Sequence, residues 1–293
     1  MNKKIILSCI VLLSGLFVTA ENPLWMRYPV ISPDGTQIAF SYQGDIYKVA
    51  AVGGQATRLT TNDAYESNPI WSPDGQKIAF VSDRFNFNKD IFVMPLSGGT
   101  AKRLTTHSAT EKPYAFTCDG KFVVFSSHYQ DPVQSALFPT AMLSELYKVP
   151  VEGGRIEMIL ASPAEKISFN KTGSKFLYQD LKGFENTWRK HHTSSVTRDI
   201  LEYDMKTGTN KKLIDRPGED TDPVYSPDGN SFFFLSEKSG SYNIFEAPIS
   251  NPQNLKQLTS FSGNPVRFLS VATNGTICFG YDGEIYTLKK GAD

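Results

Sequence analysis

The chain has 293 residues, and its 30 Lys and Arg balance 30 Asp and Glu to a formal net charge of zero. No acidic or basic block stands out, which argues against nucleic acid or a charged membrane surface as a partner. Three cysteines are too few for a disulfide scaffold or a zinc framework.

Residues 1–20 read as a secretory signal. Lys3 and Lys4 form a basic start, Ile5 to Val18 is apolar but short for a bilayer span, and Val18-Thr19-Ala20 is a small-residue cleavage site. Cys9 lies inside the apolar run and not at a cleavage point, which disfavours a lipid-anchored cysteine. The expected location is periplasmic or secreted, with no membrane contact after cleavage. Removing Lys3 and Lys4 takes the 30 basic residues to 28, against 30 acidic. Cys118 falls in a turn and Cys278 in a strand three units away, so both are expected to be unpaired, with Cys278 a small core residue.

From residue 27 onward a phrase recurs. Ser32-Pro33-Asp34-Gly35, Ser72-Pro73-Asp74-Gly75 and Ser226-Pro227-Asp228-Gly229 are clean copies. Thr117-Cys118-Asp119-Gly120, Asn170-Lys171-Thr172-Gly173 and Ala272-Thr273-Asn274-Gly275 are worn ones. Successive copies are 40, 45, 53, 56 and 46 residues apart, a period that signals a solenoid or a propeller. Ser, Pro, Asp and Gly in that order suit a type I turn whose glycine takes a positive φ. The repeated Ser and Asp are therefore expected to be turn residues and not catalytic ones.

An apolar run follows each turn, such as Ile78-Ala79-Phe80-Val81. Next comes a phrase such as Asp45-Ile46-Tyr47 or Asp90-Ile91-Phe92, and then Gly-Gly leading to Arg58-Leu59-Thr60 or Arg103-Leu104-Thr105. With a strand before the turn, each unit holds four strands. The run after the turn is apolar on both faces, as in a sheet covered on each side. The expected fold is all-β: a six-bladed β-propeller of four-stranded antiparallel blades over residues 21–293. The blades fall at about 27–60, 68–105, 112–160, 165–214, 222–259 and 266–293. The last lacks a fourth strand, so the ring is expected to be open or incompletely closed. An unpaired edge is a liability, and the expectation that follows is a chain that is the front part of something longer.

Blades 3 and 4 carry insertions between their second and third strands, at 128–144 and 179–198. They fall at equivalent places on neighbouring blades, so they form the candidate interaction surface: His128, Phe138, Trp188, Arg189, His191 and His192. Trp188 with two cations beside it suits an interface anchor, or it packs beneath its own loop. His191-His192 near Ser194 and Ser195 lacks a third orienting group, and adjacent side chains on a strand point opposite ways. No His-Glu-x-x-His, Gly-x-Ser-x-Gly or phosphate-cradling glycine loop is present. No catalytic residue, cofactor or metal is expected in this chain.

The repeat Ser-Pro-Asp-Gly-x-x-Ile-Ala-Phe, then Asp-Ile-Tyr/Phe, then Gly-Gly-x-x-x-Arg-Leu-Thr resembles the propeller repeats shared by TolB and the tricorn protease. Tyr28 to Gly35, directly after the signal, resembles the start of a tricorn first propeller. The stretch from Trp188 to Ile200 is similar to exported bacterial tricorn homologues. The resemblance covers residues 24–290. It implies an unclosed six-bladed propeller that walls and channels peptides in a serine peptidase. The peptidase's catalytic residues belong to later portions, so no position here inherits them. The implied partners are peptides, and a C-terminal peptidase part or another protein at the blade 3 and 4 loops. The alternative is a stand-alone periplasmic TolB-like propeller that binds proteins.

Overall fold

The computed structural model describes residues 25–85, 87–129, 143–183 and 193–289. These form six sheets and no helix. Blade 1 comprises β1 (Arg27–Ile31), β2 (Gln37–Tyr42), β3 (Asp45–Ala50) and β4 (Thr57–Arg58). Blade 2 comprises β5 (Glu66–Trp71), β6 (Lys77–Phe85), β7 (Asn88–Pro95) and β8 (Lys102–Arg103). Blade 3 comprises β9 (Lys112–Phe116), β10 (Phe122–Ser127), β11 (Glu145–Pro150) and β12 (Glu157–Leu160). Blade 4 comprises β13 (Ala164–Phe169), β14 (Lys175–Asp180), β15 (Ile200–Asp204) and β16 (Thr209–Ile214). Blade 5 comprises β17 (Asp220–Tyr225), β18 (Ser231–Ser236), β19 (Asn243–Pro248) and β20 (Lys256–Gln257). Blade 6 has β21 (Arg267–Val271), β22 (Thr276–Tyr281) and β23 (Glu284–Lys289), the only three-stranded sheet among the described residues. All pairings are antiparallel between sequence neighbours.

The Ser-Pro-Asp-Gly phrase folds as its chemistry requires. The Ser72 hydroxyl donates to Asp74 Oδ1 (2.5 Å) and accepts from the Lys77 N–H (2.8 Å). Asp74 Oδ1 also accepts from the Gln76 N–H, and the Gly75 N–H closes the turn on Ser72 O (2.9 Å). Ser32 and Ser226 repeat this wiring. In the worn copy Thr117 substitutes for the serine. In blades 1 and 2 the Arg-Leu-Thr phrase, and in blade 5 its Gln-Leu-Thr counterpart, stitches the outer strand to the third. Arg58 pairs with Asp45 (2.6 Å) and Arg103 with Asp90 (2.7 Å). Thr60, Thr105 and Thr259 accept the N–H of Ile46, Ile91 and Ile244 at 2.9 Å.

The second strands are buried on both faces: Ile78, Ala79, Phe80 and Val81 in β6, and Phe232 to Leu235 in β18. Each blade therefore packs on two neighbours, and one apolar cluster fills each of the six interfaces. The clusters between consecutive blades hold seven to eleven buried residues. The one joining blade 6 to blade 1 holds four: Ile31, Ile38, Ala272 and Cys278. Cys278 is thus the core residue expected, and both it and the exposed Cys118 are free.

The expectation of an open ring is refined here. Blade 6 has three strands, yet the first and last blades meet. The Ile31 N–H donates to Ser270 Oγ (3.1 Å), the same stitch that joins blades 4 and 5 through the Tyr225 N–H and Ser168 Oγ (3.1 Å). Thr273 donates its N–H to Pro33 O (2.9 Å), and the Met26 N–H reaches Gly283 O (3.0 Å). Side-by-side packing closes the described ring, without a shared strand.

Two glycines separate turn chemistry from seam chemistry. Gly75 (φ +68°) has open space where a Cβ would go, whereas a Cβ on Gly35 (φ +76°) would run into the Asn274 side chain across the seam. That side chain donates to Asp34 O (3.3 Å). Gly75→Ala is expected to cost about 1 kcal/mol, the backbone term alone. Gly35→Ala is expected to cost about 2 kcal/mol, because the seam bond is lost as well. Urea midpoints of the two variants measured side by side check this, and equal losses would contradict it.

Candidate functional site

The six innermost strands, β1, β5, β9, β13, β17 and β21, pack side by side around the axis. Each breaks register with its partner by one extra residue. At the extra position five blades place a non-glycine residue at positive φ: Tyr28 (52°), Asn68 (54°), Lys166 (54°), Asp222 (52°) and Phe268 (61°). Blade 3 has Pro113 there, whose ring forbids that conformation. Positive φ costs a residue with a Cβ on the order of 1 kcal/mol, and such strain collects at functional places.

Four of these residues, Tyr28, Lys166, Asp222 and Phe268, line two cavities at once. They stand between the cavities as a constriction. The Tyr28 and Phe268 rings lie 4.8 Å apart, and Lys166 Nζ meets Asp222 Oδ1 at 2.8 Å. The first cavity, about 110 Å³, has apolar walls that include Val30, Ile70, Ile167, Val224 and Leu269. The second, also about 110 Å³, is charged. It is reached where the innermost strands begin and the second strands end, opposite the Ser-Pro-Asp-Gly turns. That is the face from which the blade 3 and blade 4 insertions depart.

In the charged chamber Arg198 Nη1 contacts Glu219 Oε1 (2.5 Å), Lys112 Nζ lies 3.8 Å from Glu165 Oε1, and the Gln179 amide donates to Glu165 Oε2 (3.2 Å). Gln179 Oε1 accepts the Asp222 N–H (3.0 Å), and the Thr221 hydroxyl donates to Asp222 Oδ2 (2.8 Å). Burial alone would raise the Asp222 carboxyl. The Lys166 ammonium, the Thr221 hydroxyl and Lys112 outweigh it and hold Asp222 below the usual carboxylate range. Glu165 is likewise lowered against burial, by Lys112, Arg198 and Lys166. Burial pulls Lys112 down more than its carboxylates lift it. Arg267 stands over the Tyr242 ring at 5.3 Å and is also lowered by burial.

Among the candidates read from sequence, His128 follows directly on β10 at this face. It is half-buried, and burial lowers its imidazole against the pull of Glu165. Phe138, Trp188, Arg189, His191 and His192 lie outside the described residues. The far root of the blade 4 insertion is pinned by Lys182, which donates to Thr197 O and Asp199 Oδ2, both at 2.6 Å. Ser194 is spent on a local turn, accepting the Val196 N–H (3.2 Å). Sequence reading missed Lys112, Glu165, Lys166, Arg198, Glu219, Asp222 and Arg267. The available signal was charge at the start of each first strand. Among the described residues no cluster of three or more His, Cys, Asp or Glu could hold a metal ion. Nor is any helix there long and apolar enough to cross a membrane.

Residues 23–293 match the tricorn protease N-terminal beta propeller domain family. This chain belongs to that family. The tricorn protease homolog 1 of Streptomyces coelicolor is 34% identical over 62 residues, 21% of this chain and 6% of that protein. The crystal structure of the tricorn protease superposes with a TM-score of 0.76 at 22% identity, over 92% of this chain and 25% of that one. The TolB-type structure from Agrobacterium tumefaciens gives 0.69 at 16% identity, over 91% and 90%. At these identities the two structures share the fold. As a tricorn-type propeller, the chain spans a quarter of the tricorn protease structure that it matches.

A buried carboxylate beside this face carries a pH signature. Glu66, Glu111 and Asp220 occupy one equivalent position in blades 2, 3 and 5, each 0–1% exposed. Glu66 has Arg84 as partner and Asp220 has Arg216. Glu111 instead accepts from two hydroxyls, those of Thr105 and Tyr129. Burial pushes it up to about 7, the nearby Asp90 adds to this, and the hydroxyls and Arg103 offset it only in part. The folded chain thus holds this proton more tightly than the unfolded one. The Glu111 contribution is most favourable below about pH 4.5 and is lost as pH rises to about 7. The loss is on the order of 3 kcal/mol. Denaturation from pH 4.5 to 8 is expected to show that decline in the wild type and a flatter profile in Glu111→Gln. Parallel profiles would contradict it.

Proposed function

We propose that this chain is the non-catalytic propeller of an exported tricorn-like serine peptidase. It walls off and channels peptides toward a catalytic part outside residues 1–293. The observation that carries this reading is the family match over 23–293, on a ring whose axis holds a charged chamber and a side-chain constriction. Peptide is received at the charged face, beside the roots of the blade 3 and 4 insertions. Travel along the axis requires Lys166 and Asp222 to part. The candidate surface of His128, Phe138, Trp188, Arg189, His191 and His192 then serves to dock the peptidase part or another protein.

A second reading is a stand-alone TolB-like protein-binding module. It is favoured by one number: the TolB-type match covers 90% of that chain, against 25% for the tricorn protease. The mass of the native protein separates the two. Immunoblotting of source cells is expected to reveal a species several-fold heavier than the 32.6 kDa encoded here. A species near that mass would move the assignment to the binding module. Export rests on Lys3, Lys4, the apolar run and Val18-Thr19-Ala20. N-terminal sequencing of the mature protein is expected to begin at Glu21, and a chain that retains Met1 would rule out cleavage.

A further inference from the structure

The outer edge of blade 6 differs from the same place in the other five. Near the start of each third strand stands an acid or amide followed by an aliphatic residue: Asp45-Ile46, Asp90-Ile91, Glu145-Leu146, Asp199-Ile200, Asn243-Ile244 and Glu284-Ile285. In blades 1 to 5 that aliphatic residue is 0% exposed. Ile285 is partly exposed, and Tyr286 beside it is 36% exposed where Phe92, Tyr147 and Phe245 are covered. β23 nevertheless keeps the regular register on β22, since Gly280 pairs with Ile285 as Ser41 pairs with Ile46. The difference lies on the other side of β23, where the described residues supply no fourth strand.

The other blades specify the missing piece. Leu59, Leu104, Leu160, Leu213 and Leu258 lie in or just after a fourth strand, and each joins the apolar cluster between its own blade and the next. The cluster between blades 6 and 1 contains no leucine. In blades 1, 2 and 5 the leucine N–H donates to the carbonyl of Ile46, Ile91 or Ile244 (2.8 Å), and the threonine that follows accepts the N–H of the same isoleucine. The residue before the leucine is a cation in three blades, where Arg58, Arg103 and Lys212 pair with Asp45, Asp90 and Asp199. By the shared register, Ile285 turns its N–H and carbonyl to the open edge, and Glu284 offers the carboxylate. Glu284 accepts from the Tyr286 hydroxyl (2.8 Å), as Glu145 does from Tyr147 with its fourth strand in place.

We propose that the edge of β23 docks an extended partner segment of the pattern Arg-Leu-Thr or Lys-Leu-Thr, laid antiparallel as the fourth strand of blade 6. Main-chain hydrogen bonds to Ile285 supply affinity, the leucine completes the cluster at the seam, and the cation meets Glu284. An unpaired strand edge is a template for such an addition. The segment comes from outside residues 21–293. In blades 1 and 2 the arginine follows the aspartate by 13 residues, from 45 to 58 and from 90 to 103, and the same step from Glu284 passes residue 293. Leu24 stands two residues before Met26, whose N–H bonds Gly283 O as the Ala164 N–H bonds Ser144 O, and Leu160 needs four residues to reach Ala164.

Fluorescence polarisation with the full chain and a dye-labelled peptide copying Gly53 to Thr61 tests the site. Saturable binding is expected. Leu59→Pro in the peptide removes the N–H meant for the Ile285 carbonyl and is expected to weaken binding at least about tenfold. Arg58→Glu in the peptide is expected to weaken it about threefold, and Glu284→Lys in the chain to reverse that preference. Glu284 is partly exposed, so its variant tests the contact without unfolding the ring. Hydrogen exchange at residues 284–289 is expected to slow when the peptide is added. No saturable binding, or protection only elsewhere, overturns the proposal. A Glu284→Lys chain that still prefers the arginine peptide overturns it as well. Protection of 284–289 without peptide, rising with protein concentration alongside a dimer in light scattering, assigns the edge to a second copy and overturns the partner segment.

Discussion

A strand buried on both faces cannot be covered by one neighbour, and the ring depends on that constraint. Phe80 in β6 and Phe232 to Leu235 in β18 have no solvent side. Each blade therefore needs a sheet before it and a sheet after it, which only a closed succession provides. Burying side chains of this size is worth about 2 kcal/mol each, so the second strands dominate the stability of the fold. The polar phrases serve them. The Ser-Pro-Asp-Gly turn returns the chain at a fixed register, and the Asp-to-Arg and Thr-to-Ile stitches hold the outer strand in place.

Closure is cheapest where the repeat is least complete. The seam has four buried apolar residues and no fourth strand on blade 6 among the described residues. It nevertheless reuses the stitch found between blades 4 and 5, with Ser270 in the role of Ser168. The geometry of a regular interface is thus kept with less apolar area. This makes the contact between blades 6 and 1 the place where the ring opens at least cost.

The turns, the strand count and the three-stranded last blade were legible because each follows from local chemistry. A proline before an aspartate and a glycine, or a run such as Phe232-Phe233-Phe234-Leu235, has few readings. The charged chamber was not legible, for an equally physical reason. Side chains alternate across a strand with period two, and one extra residue reverses the alternation. Every innermost strand carries such an extra residue, at positions as unlike as Tyr28, Lys166 and Asp222. No pattern count along Ala164–Phe169 separates a lysine that points into a channel from one on a solvated face. The position of His128 at the end of β10 was legible because insertion position depends only on strand order, which the repeats supply.

The channel residues make little sense as stabilisers. Five non-glycine positions at positive φ, a half-buried Lys166–Asp222 pair and a buried Arg198–Glu219 pair all work against the folded state or at best break even. The interfaces between blades show how this chain builds where stability alone is at stake: with Phe, Ile, Leu and Val. Departures from that practice converge on one axis and one face, and they involve blades 1, 3, 4, 5 and 6 together. The units share their turn and interface chemistry, and their unlike charged residues gather where they meet at the centre. The blades supply the frame, and the side chains at the bulges of blades 1, 4, 5 and 6 line its centre.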